Sequence, residues 1–76
     1  MLKEFETLNS FMRYASELNE DEQIVDDVGI MLYQSTISKV TSLCRVFRMN
    51  TDDSQITFAF NADTHKIFDI AERMVT

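Results

Sequence analysis

Proline is absent from this sequence, and glycine, cysteine and histidine occur once each. Each shortage excludes something. A lone cysteine, Cys44, rules out a disulfide within one chain. Cys44 and His65 give two soft ligands where a structural zinc site uses four. Without a glycine-rich loop there is no phosphate cradle and no nucleophile elbow. The longest apolar run, Ile30–Tyr33, falls far short of the roughly 20 residues that cross a bilayer. The first residues, Met1 to Glu6, carry acids where a secretory leader needs a basic segment and an apolar run. A lone thiol suits a reducing compartment, so a cytoplasmic chain is expected.

Hydrophobic residues make up 45% of the chain, enough for a folded domain and against disorder. The 76 residues form a single domain, 1–76. A chain this short buries only about 60% of the surface its unfolded form exposes. Self-association is one remedy for so thin a margin.

The net charge of −6 is confined to one stretch. Glu17, Glu20, Asp21, Glu22, Asp26 and Asp27 are six of the 13 acids, and the remaining seven equal the seven bases. The only basic cluster is Lys39, Arg45 and Arg48, and residues 36–50 contain no acid.

Apolar residues recur at three- and four-residue steps from Leu2 to Leu18, which predicts a helix. With Tyr14 included, its apolar arc is wider than one small core needs. Phe11, Tyr14 and Leu18 lie toward one edge of it and are the expected interface of a homodimer. Asn19 is placed to cap a second helix over 20–34, with Glu20, Asp21 and Glu22 at its positive end. Gly29 weakens that helix, and a short strand at Ile30–Tyr33 is the alternative. Residues 36–50 fit either a helix capped by Ser35 or a strand. Ile56, Phe58 and Phe60 alternate with Thr57 and Ala59, which is strand periodicity. A hairpin of Cys44–Met49 with this strand, across the polar loop Asn50 to Ser54, is expected. The chain then ends in a helix with Ile67, Phe68, Ile70, Ala71, Met74 and Val75 buried. His65, Lys66, Asp69, Glu72 and Arg73 would face water. The expected fold is a small two-layer α+β domain, α-α-β-β-α. A winged helix-turn-helix, with Ser38, Ser42, Arg45 and Arg48 on a third helix, is the alternative.

No catalytic constellation emerges. His65 and Asp69 would stand one helical turn apart, but no nucleophile or oxyanion loop accompanies them. Cys44 reads as a small core hydrophobe. The acids match no calcium loop. No catalytic residue, metal or cofactor is therefore expected. The charge distribution points instead to a non-catalytic protein-binding regulator or inhibitor that engages a basic protein surface. The expected contact residues are Glu17, Glu20, Asp21, Glu22, Asp26, Asp27, Ile30 and Tyr33. A nucleic-acid-binding enzyme has such a surface, and phage-type inhibitors, antitoxins and immunity proteins share this size and acidity. A DNA-binding regulator is the competing class. The acidic balance weighs against direct nucleic-acid binding.

Overall fold

The computed structural model of the chain describes residues 6–17, 24–51 and 53–74. One short helix is followed by four strands: α1 (Leu8–Ser16), β1 (Ile24–Gln34), β2 (Thr41–Asn50), β3 (Ser54–Asn61) and β4 (Ile67–Met74). The strands form one antiparallel meander in the order β1-β2-β3-β4. Among the described residues, no helix is long and apolar enough to cross a membrane.

This overturns both expected folds. The α-α-β-β-α arrangement fails at two elements: the segment assigned to a second helix is β1, and the segment assigned to a final helix is β4. The winged helix-turn-helix fails because its groove-entering helix is the strand β2. Of the first helix, Leu8–Ser16 is present, and the stretch from Leu2 to Phe5 lies outside the described residues. The β2–β3 hairpin is present, with Phe47 opposite Phe58 and Met49 opposite Ile56.

The cause of both errors is the same. In β1 the pairing jumps between Asp27 and Gly29, so Val28 is an extra residue bulged from the ladder. In β4, Asp69 faces Ala59 while Ile67 faces Phe60, which leaves Phe68 as the extra residue. An inserted residue shifts the alternation by one. Ile67 and Ile70 therefore both pack on the helix side although they are three apart. A period-two pattern interrupted by a bulge imitates helical spacing. Gly29 sits at φ 101°, a backbone region that glycine enters without strain.

The α1 helix begins at Thr7, whose hydroxyl oxygen accepts the backbone N–H of Ser10 at 3.2 Å. Its inward residue is Phe11, fully buried, with its ring 4.8–5.5 Å from the rings of Phe58, Phe47 and Phe60. Met49 and Ile56 complete this core, with Leu8, Tyr14, Val25, Ile67 and Ile70 packed around it. Phe11 is thus a core residue, fully enclosed within this chain. Tyr14 is half-buried against the same core, and Leu18 lies outside the described residues. Backbone bonds from Leu8 N–H to His65 O and from Ile67 N–H to Glu6 O tie the start of the helix to the start of β4.

The other face of the sheet carries a smaller cluster, Cys44, Val46 and Ala59, with Tyr33 and Phe68 beside it. β1 and β4 stand three strand spacings apart, about 14 Å in a flat sheet. Yet the Tyr33 hydroxyl donates to Asp69 Oδ2 at 2.9 Å and the Ser35 hydroxyl to Asp69 Oδ1 at 3.2 Å. The sheet is therefore curled on this face, with the end of β1 folded toward β4.

Candidate protein-binding surface

Among the described residues, the expected contact residues are spread over both faces of the sheet and the end of α1. Glu17 is exposed at the C-cap of α1. Glu20, Asp21 and Glu22 lie outside the described residues. Asp26 and Asp27 are exposed at the start of β1, but neither is alone. Arg45 clasps Asp27 through an ion pair and a second bond from Nε at 3.2 Å, and lies over the Phe47 ring. This guanidinium holds the Asp27 carboxyl below the usual carboxylate range. Asn50 donates to Asp26, and Arg48 stands opposite it in the ladder. Two of the three clustered bases thus lie beside β1 acids, and Lys39 is exposed in the β1–β2 turn.

Ile30 and Tyr33 point to opposite faces. Ile30, opposite Arg45, is on the helix side of the sheet but beyond the reach of α1, and is 63% exposed. Tyr33, opposite Ser42, is on the curled side, half-buried and edge-on to Phe68. Burial, together with its bond to Asp69 and that carboxylate's charge, pushes the Tyr33 phenol up to about 12. Tyr33 is a structural residue here and not an exposed anchor.

The polar centre of the molecule is one that sequence reasoning placed in water. Asp69 is 5% exposed and accepts bonds from the Tyr33, Ser35 and Thr36 hydroxyls, with the Thr36 backbone N–H at 3.4 Å. Ser35 in turn accepts the backbone N–H groups of Ile37 and Ser38. One carboxylate on β4 therefore organises the β1–β2 turn. The expected His65–Asp69 neighbourhood vanished with the helix: His65 is exposed in the β3–β4 turn, at φ 62°. Cys44 is fully buried, and burial and the Asp69 charge push its thiol up, which makes it a poor nucleophile.

The turn anchored by Asp69 displays an apolar surface. Val28, Ile30, Met31, Leu32, Ile37, Val40 and Leu43 are all large hydrophobics left exposed on β1, the turn and the start of β2. Leu32 is 69% and Ile37 86% exposed. Leu32 and Leu43 face each other across the ladder on the same side as Ile30. Ile30, Leu32 and Leu43 share one side of the hairpin, with Ile37 and Val40 in the adjoining turn, whereas Met31 lies on the other side; exposed apolar groups gathered in this way mark interaction surfaces. Of these, only Ile30 was singled out from the sequence. The run Ile30–Tyr33, taken as a strand, carried the signal, since alternation puts Ile30 with Leu32 and Met31 with Tyr33.

Comparison of the chain with protein-family models, with curated proteins and with solved structures finds no match.

Proposed function

We propose that the chain is a non-catalytic protein-binding regulator that engages its partner through the β1–β2 hairpin. The observation that carries this reading is the set of exposed apolar side chains Ile30, Leu32 and Leu43 on one face of the hairpin, with Ile37 and Val40 exposed in its turn, which Asp69 holds. Large apolar patches rimmed by charge mark interaction sites in soluble proteins. Asp26 and Asp27 precede the patch on β1, so carboxylates flank it on one side. The fitting partner is a protein with an apolar recess bordered by basic groups, such as the nucleic-acid site of an enzyme. The acids steer the encounter, and the apolar side chains set the residence time.

The test is binding kinetics on the partner recovered from the native host, with two variants beside the wild type. Neutralising Glu20, Asp21 and Glu22 to Gln, Asn and Gln should lower the association rate and flatten its salt dependence. Ile37→Ser with Leu43→Ser should speed dissociation about tenfold or more, because exposed anchors dominate interface energy. A partner bound with unchanged rates by both variants would remove the hairpin from consideration.

A further inference from the structure

We propose that the outer edge of β1 pairs antiparallel with β1 of a second copy of the chain, giving a continuous eight-stranded sheet. This goes beyond the partner-binding reading: that reading concerns the side chains of the hairpin, whereas this concerns its backbone edge. β1 is the outermost strand on its side of the sheet among the described residues. Ser35 N–H donates to Val40 O at 2.8 Å, so Ser35 turns its amide toward β2. Hydrogen-bonded and non-bonded pairs alternate along an antiparallel ladder. Ile30, Leu32 and Gln34 therefore direct their N–H and C=O groups away from β2.

Natural edge strands are guarded by charge, proline or bulges. Here the guards stop at residue 29. Asp26, Asp27 and the Val28 bulge precede a stretch, Ile30 to Gln34, with no charge and no proline. That stretch is also strongly exposed at Ile30, Met31 and Leu32.

Two arguments favour a second copy as the occupant. A two-fold axis at Met31 sets Ile30 of each copy opposite Leu32 of the other, so exposed apolar residues meet on one face. Charge fits the same arrangement. Antiparallel pairing separates the two Asp26–Asp27 pairs to opposite ends. Each then lies beside the other copy's turn at 35–40, which carries Lys39 and no acid. Parallel pairing would instead bring the four carboxylates together, a destabilising contact between like charges.

The experiment uses the whole chain. Light scattering across the micromolar range should give the mass of a dimer. Hydrogen exchange followed by NMR should show slow amides at Ile30 and Leu32, faster on dilution. Leu32→Pro removes an outward donor at an edge position that tolerates proline, and should halve the mass while the sheet persists in circular dichroism. Ile30→Lys, which adds only an edge charge, should weaken self-association at least about tenfold and guards against misfolding of the proline variant. A monomeric wild type overturns the pairing, as does a dimer with fast-exchanging Ile30 and Leu32 amides or one indifferent to Ile30→Lys. A monomer that still binds its partner through Ile37 and Leu43 sinks this proposal alone and leaves the partner-binding reading standing.

Discussion

At the residue scale the most consequential group is Asp69. A carboxylate removed from water must be compensated by hydrogen bonds, and here the Tyr33, Ser35 and Thr36 hydroxyls provide them. Removing one such donor to a charged acceptor costs about 1.5–3 kcal/mol, so Tyr33→Phe should lower stability by that amount near neutral pH. The same pair predicts an alkaline limit. The folded state holds the Tyr33 proton more tightly than the unfolded chain, with a pKa raised from 10.0 to about 12. Its contribution is thus fully present below about pH 10 and is lost as the pH rises through about 12. Chemical denaturation between pH 8 and 12 should show wild-type stability beginning to fall from about pH 9 through Cys44 and falling more steeply above pH 10 through Tyr33, with a flatter Tyr33→Phe profile above pH 10. A variant profile that falls as steeply as the wild type's would assign the loss to Cys44, whose thiol is also pushed up.

At the element scale the two bulges decide how the chain reads. Where alternation is unbroken, as in Ile56, Phe58 and Phe60, the sequence declares its strand and its buried face, and the partner strand follows from the need to satisfy backbone groups. Where Val28 and Phe68 are inserted, the apolar spacing drifts toward three and the segments pass for helices. Gly29 was the legible clue: a poor residue for a helix interior, it suits a bulge at φ 101°. The site was legible only in part. Ile30 could be picked out from an apolar run, but the exposure of Ile37 and Val40 depends on a turn fixed by Asp69, more than 30 residues away in sequence. No local pattern encodes that contact. Gly29→Ala adds a Cβ that meets nothing within 4 Å, so its cost is purely conformational. It should destabilise the fold by about 1–2 kcal/mol in urea titrations, with an unchanged slope. A neutral outcome would mean that β1 pairs without its bulge.

At the scale of the whole molecule, the core joins parts that are far apart in sequence. The strands pair in the ladder only with their neighbours in the chain, yet the Phe11 ring rests on Phe47, Phe58 and Phe60. Truncating a buried phenylalanine costs about 3–5 kcal/mol, so Phe11→Ala should leave the chain largely unfolded at 25 °C, a loss visible in calorimetry. The gentler Phe11→Leu should speed unfolding more than it slows folding, if the hairpins form before the helix docks. The order of synthesis gives this architecture a further meaning. During translation the α1 segment emerges before the strands, and the aromatic platform that receives Phe11 is completed only with β3. Until β3 follows, the helix has no seat, and a nine-residue helix is marginal without one. A nascent chain thus carries an unsheltered phenylalanine until β3 has joined the sheet.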